Sequence, residues 1–397
     1  MSGLSTPERT LVSAGAPGTM RRREFLTIAG LGIVTACAPR MPRSGAADDG
    51  VWLPYERALV IDGLGSPIQF NIPQEGLPLR PAVHDAVRAS GITALNLTVN
   101  VQGSGDTTAY GATKAKVAAW LAEIAAHPEV FVLVRGSADI ARAKAQRRLG
   151  VILGFQDGTP VEHDLSTVAE FHALGVRIVQ LTYNIRNALG CGSLVTDDSG
   201  VTPLGRDAIA ALAAAGILLD LSHCGARTTR DGIAAAAGPV AITHSGCSAL
   251  FAHPRNKDDA TLKMLADRGG VFGVYAMPFL NATGAPTTDD VVAHLEHALD
   301  VCGEDHTGIG TDQGIVPLDV SGDFTQRFVQ VSAQRTAAGI AAPREDTIPY
   351  VPELNTPRRM ERLAHRLSQR RHPDRVIEKI LGANWLRLLT DVAPARG

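Results

Sequence analysis

The chain has 397 residues, of which 45% are hydrophobic and 20% are charged, and its formal net charge is −2. This balance excludes a disordered or collagen-like chain, and it offers no basic surface, so we expect no nucleic-acid partner. The length allows a large core and favours one decorated α/β barrel over two separate domains.

The N-terminal segment carries the features of an export signal. Arg22 and Arg23 make a twin-arginine pattern, and the apolar run Leu26–Ala36 behind them is too short to span a bilayer. Small residues precede Cys37, as they do at a lipoprotein signal-peptidase site, and ordinary cleavage near Ala38 is the alternative. The pattern predicts twin-arginine export to the periplasm or cell envelope.

Export of this kind divides the chain into two parts. We predict that residues 1–45 are signal and tether, and that residues 46–397 form the folded domain. If Cys37 is lipidated, the protein touches the membrane only through that lipid anchor.

The remaining cysteines could pair in an oxidising periplasm or contact a metal. Twin-arginine export carries proteins that are already folded, so these side chains start as thiols, and we expect them to stay buried and unpaired. They are Cys191, Cys224, Cys247 and Cys302.

Short apolar runs alternate with segments of helical spacing in the rest of the chain. Runs typical of buried parallel strands begin near residues 58, 93, 151, 176, 216, 238, 270 and 307, and a shorter run begins at 131. Helices are predicted at 81–90, 113–126, 137–147, 164–174, 206–215, 226–237, 258–266 and 288–301. This alternation predicts a single (β/α)₈ barrel.

The C-terminal part of the chain begins with a stretch that has no clear periodicity. Residues 316–352 are predicted to be a long loop or lid, and long loops in compact domains are often functional. Helices are predicted again at 358–371 and 374–389.

Polar residues follow three of the predicted strands. His223, His244 and Asp312 each stand directly after an apolar run. Barrels of this class gather their chemistry at the carboxyl ends of the strands, and two imidazoles with one carboxylate make a candidate hydrolytic metal site. The alternative is that each side chain is only a hydrogen-bonded residue that closes its strand.

Six short motifs stand along the chain after the leader: Leu181–Asn184, Gly216–His223, Thr243–Ser245, Pro254–Asn256, Gly308–Asp312 and Gly382–Arg387. They resemble motifs of the membrane (renal) dipeptidase family and occur in the family's order over nearly the whole chain after the leader. This resemblance implies a barrel of the metal-dependent amidohydrolase type that hydrolyses dipeptides with two zinc ions, bridged by a glutamate and a hydroxide. Family members are often dimers, so it also allows a homodimer.

The resemblance also implies roles for five residues. His223 and His244 match two ligands of one zinc. Asp312 matches a ligand of the other zinc, placed to take the proton from the attacking water. Arg255 matches the arginine that binds the substrate carboxylate, and its planar fork suits that task. Tyr183 stands where many members carry a substrate-binding histidine, and a phenol can still donate one hydrogen bond.

Three positions depart from the family pattern. Leu64 and Ser66 replace the histidine and the aspartate of the first strand, and Gln156 stands at the bridging glutamate. A neutral glutamine cannot bridge two dications as a carboxylate does. Asp157 could substitute only if the strand end bends. These departures favour one zinc ion per chain over two.

Three functions remain open at this point. The first is a metallodipeptidase-type hydrolase with one metal held by His223 and His244, in which Asp312 is the third ligand or the general base. The second is a barrel that captures a small peptide or amino-acid derivative through Arg255 and Tyr183 without turnover. The third is metal-free acid/base chemistry by Asp312 and a neutral histidine.

Overall fold

The computed structural model describes residues 51–69, 76–100 and 108–392. The predicted leader, with Arg22, Arg23 and Cys37, lies outside these residues, and its export and lipidation stay predictions. Among the helices that the structure describes, none combines the length and apolarity needed to cross a membrane.

Eight parallel strands form a nearly closed barrel, in the order β1-β3-β5-β6-β7-β8-β9-β10. The strands are β1 Ile61–Asp62, β2 Gly65–Ser66, β3 Ala94–Thr98, β4 Phe131–Leu133, β5 Leu149–Phe155, β6 Val176–Gln180, β7 Leu218–Asp220, β8 Ala241–Ser245, β9 Val271–Val274, β10 Thr307–Ile309 and β11 Gln313–Gly314. The predicted (β/α)₈ barrel is therefore confirmed, and the eight long runs of the sequence are its eight strands.

Contacts between the first and last strands close the barrel. The backbone N–H of Gly63 donates to the carbonyl of Ile309 at 2.9 Å. The carboxylate of Asp62 accepts hydrogen bonds from the N–H (2.7 Å) and the hydroxyl (2.6 Å) of Thr311. Beyond the barrel, β2 pairs in parallel with β11, while the short strand β4 pairs only with β5.

Helices surround the strands, and most lie within a few residues of their predicted ranges. They are α1 Pro81–Ser90, α2 Ala109–Ala126, α3 Ser137–Gln146, α4 Thr167–Leu174, α5 Pro203–Ala215, α6 Ala226–Ala235, α7 Asp259–Asp267, α8 Thr288–Cys302, α9 Gly322–Ala337, α10 Arg359–Gln369, α11 Asp374–Glu378 and α12 Asn384–Val392, with a π-helical turn at Lys379–Ala383 before α12.

One expectation for the chain outside the barrel is wrong. The stretch 316–352 is not a loop throughout, because it contains the 16-residue helix α9. Its buried residues Phe324, Phe328 and Ser332 recur every fourth position, which is the helical signal in this stretch.

The expectation of unpaired thiols is confirmed, since the four cysteines of the described chain are free and buried.

Trp385 closes the inner core at the N-terminal end of the barrel. It belongs to one buried cluster with inward residues of seven strands, among them Ile61, Ile178 and Val271, and its indole N–H donates to the carbonyl of Ile309 at 3.0 Å. A Cβ at Gly63 would lie 2.6 Å from the indole ring, so a larger residue there would collide with it.

We expect Trp385→Ala to lower the free energy of unfolding by about 3–5 kcal/mol, because it leaves a large cavity that rigid strands cannot fill. Urea denaturation measures the loss. Trp385→Phe is the matched control, since it keeps most of the ring volume and should cost less. A loss below about 1 kcal/mol for the alanine variant would contradict this account of the core.

Candidate metal centre and active site

The five predicted site residues meet at the C-terminal ends of the barrel strands. Tyr183, His223, Arg255 and Asp312 line one cavity of about 40 Å³. His244, which is fully buried, lies in contact with His223. The structure thus places on one face of the barrel the side chains that the sequence singled out.

The two histidines point their Nε2 atoms at each other, 2.9 Å apart. On His223, Nδ1 lies 2.6 Å from the side-chain oxygen of Asn184. On His244, Nδ1 lies 2.8 Å from the hydroxyl of Thr243, whose own proton is donated to Asp220 at 2.7 Å. The Asn184 oxygen and the Thr243 hydroxyl oxygen can each only accept a hydrogen bond from the ring. Each ring therefore carries its proton on Nδ1 and a lone pair on Nε2.

The charge state of the pair follows from its burial. Burial lowers the pKa of His223 and of His244 well below the usual value, and the Arg255 guanidinium lowers both further. Both imidazoles are therefore neutral, which is the form that binds metals. Two lone pairs that face each other at this distance repel, and a cation between them removes the repulsion.

The spacing of the two nitrogens fits one zinc ion. Tetrahedral zinc with bonds of about 2.0–2.1 Å holds two nitrogens about 3.3 Å apart. The observed 2.9 Å needs only a few tenths of an ångström of adjustment. These two residues therefore suit one metal ion at the barrel mouth.

Asp312 lies in the same cavity with an uncommitted carboxylate. Its backbone is left-handed (φ 56°), and its N–H donates to the carbonyl of Leu64 at 2.9 Å. Among the described residues the carboxylate has no hydrogen-bond partner. Burial raises the pKa of Asp312 to about 6, although the charges of Arg255 and Arg335 lower it. The side chain is thus a base that titrates close to neutral pH.

Asp312 does not share a three-ligand cluster with the two histidines. In the described part of the chain, one set of three ligand-type side chains has its atoms within 4.8 Å of one another, and it lies elsewhere, at His84, Glu123 and His127. The geometry therefore favours Asp312 as a general base over Asp312 as third ligand of the histidine-bound ion.

The residues do not fit a second ion at the mouth. Leu64 is buried and apolar. Ser66 accepts a hydrogen bond from the N–H of Ile68 at 3.2 Å, and the amide of Gln156 donates to the hydroxyl of Thr98 at 2.7 Å. None of these side chains supplies the carboxylates or imidazole that would hold and bridge a second dication.

Asp157 does not rebuild that second site. Its carboxylate accepts hydrogen bonds from the N–H (3.0 Å) and the hydroxyl (2.8 Å) of Thr159 and from the amide of Asn187 (3.0 Å). The cavity lining does not include it. Instead of bending toward the metal site, Asp157 stabilises the turn that follows β5.

Arg255 brings a buried positive charge to the cavity. Its side chain is among the largest fully buried ones, and it donates to the backbone carbonyls of Ser222 and of His244, the latter at 3.3 Å. No carboxylate of the described chain lies within ion-pair distance of it. A buried guanidinium without an acidic partner is suited to receive an anion.

Tyr183 packs on the ring of His223. Its phenol ring stacks on His223, with ring centroids 4.1 Å apart and planes 22° apart. Its hydroxyl accepts a hydrogen bond from Arg335 at 3.0 Å, and burial raises its pKa. Tyr183 therefore keeps its proton and holds the histidine ring in place from one side.

Residues 316–352, here named the covering segment, supply site residues that the sequence did not reveal. Arg335 on α9 pairs with Glu345 at 2.7 Å, and Glu345 accepts a hydrogen bond from the amide of Asn184 at 3.0 Å. Because Asn184 also contacts Nδ1 of His223, this network links the covering segment to the histidine pair at the mouth. The segment packs around its own apolar cluster of Leu318, Phe324 and Phe328.

Comparisons with known proteins point to one family. The family model "Membrane dipeptidase (Peptidase family M19)" matches residues 83–323. Dipeptidase ataJ of Aspergillus terreus is 30% identical over an alignment of 266 residues, and the match covers 60% of this chain and 64% of that protein. Dipeptidase verJ of Clonostachys rogersoniana is 28% identical over 212 residues, so the match spans 53% of this chain and about half (55%) of that protein.

Solved structures extend the likeness over most of the chain. An amidohydrolase from Pseudomonas aeruginosa has 32% identity and a TM-score of 0.74, covering 86% of this chain and 98% of its own. A metallopeptidase from Rhodobacter sphaeroides, liganded with a phosphinate mimic of the dipeptide L-Ala-D-Ala, has the same fold. Its identity is 19% and its TM-score is 0.67, and the match covers 84% of this chain and 99% of that one. Because the family model covers more than half of the residues, the chain belongs to the membrane dipeptidase family, peptidase family M19.

Proposed function

We propose that this protein is a metal-dependent hydrolase that cleaves the peptide bond of a dipeptide or a related small amide, with one zinc ion at the barrel mouth. The observation that carries the proposal is the pair of Nε2 atoms of His223 and His244 that face each other 2.9 Å apart. Family membership supports it, since two relatives are named dipeptidases.

Each cavity residue has a task that its contacts allow. Arg255 binds the substrate carboxylate through the guanidinium N–H groups that its two carbonyl partners leave unused. Asp312 accepts a proton from the attacking water, because its carboxylate is uncommitted. The apolar side chains Met277, Phe279 and Phe328 limit the access of bulk water. A bound zinc ion would polarise the scissile carbonyl and activate water.

A panel of dipeptides tests the proposal directly. The chain purified without metal should be inactive, and addition of zinc chloride should start the release of free amino acids. Mass spectrometry of the products identifies the bond that is cut. A chain that binds zinc but hydrolyses no member of the panel or its amide analogues would contradict the proposal.

One observation favours a second candidate function. The position of the bridging carboxylate holds Gln156, tied to Thr98 at 2.7 Å, and the apolar Leu64 occupies a ligand position of the other zinc. A barrel with these changes could capture a small peptide through Arg255 without turnover. Calorimetry distinguishes the two, because dipeptide binding with no product after prolonged incubation identifies the binding protein.

The pH dependence of hydrolysis should follow the titration of Asp312. The raised pKa of about 6 keeps the side chain protonated, and so inactive as a base, below that pH. We therefore expect kcat/KM to be full above pH 7 and to fall about tenfold per pH unit below pH 6. The histidines do not cause this fall in kcat/KM, the acid limb of the profile, since burial lowers their pKa values.

Asp312→Asn is the matched variant for the pH profile. Asparagine tolerates the left-handed backbone at this position, so the change removes the charge and keeps the fold. Activity should fall at least about a hundredfold, and the residual rate should lose its acid limb. An acid limb near pH 6 that persists in this variant would show that another group acts as the base.

We also propose twin-arginine export and lipid anchoring, which Arg22, Arg23 and Cys37 support. Replacement of both arginines by lysine should leave the protein in the cytoplasm. Cys37→Ser should move it from the membrane fraction to the soluble periplasmic fraction, as shown by fractionation and immunoblotting. If the serine variant stays with the membrane, the lipid anchor is wrong.

A further inference from the structure

A second group of metal-ligand side chains lies in the helical layer of the barrel. His84 is on α1, Glu123 is in the last turn of α2, and His127 directly follows that helix. One ligand atom of each lies within 4.8 Å of the other two. We name these three residues the α1–α2 cluster. His84 and Glu123 are 7% and 4% exposed, while the side chain of His127 is 31% exposed.

The carboxylate of this cluster is buried without a basic partner. No lysine or arginine of the described chain lies within ion-pair distance of Glu123. Its Oε1 accepts one hydrogen bond, from the N–H of Leu79 at 3.2 Å. The same oxygen lies 3.6 Å from Nε2 of His84 and 3.6 Å from Nε2 of His127. A buried carboxylate needs a compensating positive charge, and among the described residues the two imidazoles are the basic groups beside it.

Neither imidazole makes a hydrogen bond to the carboxylate at these distances. Nε2 of His84 is buried and has no hydrogen-bond partner among the described residues. The ring centroids of His84 and His127 are 4.3 Å apart, and the ring planes are tilted by 54°. The two rings therefore do not share a hydrogen bond in a common plane. Two nitrogens and one carboxylate oxygen therefore converge on a common point without hydrogen bonds among them.

A divalent ion at that point would satisfy all three groups. Zinc with bonds of about 2.0–2.1 Å holds its ligand atoms about 3.3–3.4 Å apart, close to the two separations of 3.6 Å. On the far side of the His127 ring, Nδ1 lies 3.5 Å from the carboxylate of Glu129, which is how carboxylates orient metal-bound histidines. The exposed side of His127 leaves room for a water ligand.

We propose that His84, Glu123 and His127 form a zinc site that is separate from the barrel mouth. Two imidazoles and one carboxylate are a ligand set that suits zinc. The ion would tie α1 to the end of α2 and to the turn that leads into β4. Because it would bind the folded chain in preference to the unfolded one, its effect is on stability, and it does not depend on the proposed hydrolysis.

The test uses the full chain with His223→Ala and His244→Ala, which removes the histidines at the mouth. Calorimetric titration with zinc chloride, followed by dialysis and elemental analysis, should show about one zinc per chain. The melting temperature should rise by about 5 °C at a zinc concentration a hundred times Kd. Further replacement of His84 and His127 by glutamine should abolish both effects.

The single variant His127→Gln keeps the test decisive if the multiple variants fold poorly, because this side chain is partly exposed. It should bind one zinc equivalent fewer than the unsubstituted chain. His297→Gln is the matched control, since His297 pairs with a single carboxylate, Asp259, at 2.8 Å, and its loss should leave the zinc content unchanged. Unchanged zinc content in His127→Gln, or no zinc bound by His223→Ala/His244→Ala, would overturn the proposal.

Discussion

His223→Ala and His244→Ala are each expected to lose one zinc equivalent per chain and to slow dipeptide hydrolysis by about a thousandfold or more. The two Nε2 atoms are the nitrogens that we propose hold the ion at the mouth, and either one alone would be a weak ligand. A metal ion contributes several kcal/mol to transition-state stabilisation, and each 1.4 kcal/mol changes the rate about tenfold. Elemental analysis and the dipeptide assay measure the two losses on the same samples.

The zinc loss is counted as a difference from the unsubstituted chain, because the α1–α2 cluster would keep its own ion. His306→Gln is the control, since His306 lies at the opposite end of the barrel, before β10, and its ring Nδ1 donates to the carbonyl of Gly270 at 2.8 Å. It should keep both zinc and activity. Full activity in either alanine variant would refute metal-dependent hydrolysis at this pair.

Arg255→Lys is expected to abolish the preference for substrates with a free carboxylate. Charge-assisted hydrogen bonds contribute about 1.5–3 kcal/mol, so the unsubstituted enzyme should favour a dipeptide over its C-terminal amide by about 10–100-fold in kcat/KM. Lysine keeps the charge but not the planar fork, and its single ammonium cannot serve the two backbone carbonyls and a carboxylate together.

The ratio of the two substrates is the useful measurement, because any partial loss of folded enzyme cancels from it. Arg335→Lys serves as the control: Arg335 lies in the same cavity, but Glu345 already neutralises it at 2.7 Å. The preference should survive in that variant. If Arg255→Lys retains the full preference, then the substrate carboxylate is bound elsewhere.

The barrel could be predicted because each strand is a short buried run of its own. Strands β7 and β8 begin on apolar residues and end on polar ones, so the sequence shows both where they end and which side chains meet at the mouth. The proximity of His223 and His244 follows from that rule alone. The expected roles of Arg255 and Tyr183 rested on the resemblance to the family.

The parts of the site that escaped prediction depend on contacts between distant segments. Arg335 and Glu345 reach the cavity only because α9 folds back over the barrel, and the weak apolar pattern of that helix does not show where it packs. The α1–α2 cluster also depends on contacts between separate segments of the chain. Glu123 and His127 are one helical turn apart and could be paired from sequence, but His84 comes from a separate helix.

The covering segment has a consequence for the kinetics of turnover. The cavity of about 40 Å³ has room for roughly three water molecules, which is less than a dipeptide needs. The segment has its own apolar cluster around Phe324 and Phe328 and contacts Asn184 and Tyr183 through Glu345 and Arg335, while Ala342 and Val351 are buried in the main core. We therefore expect α9 to move away from the mouth while the later part of the segment stays anchored. Substrate uptake and product release then both wait for this motion. Turnover should therefore slow as solvent viscosity rises, even while the chemistry at the histidines stays unchanged.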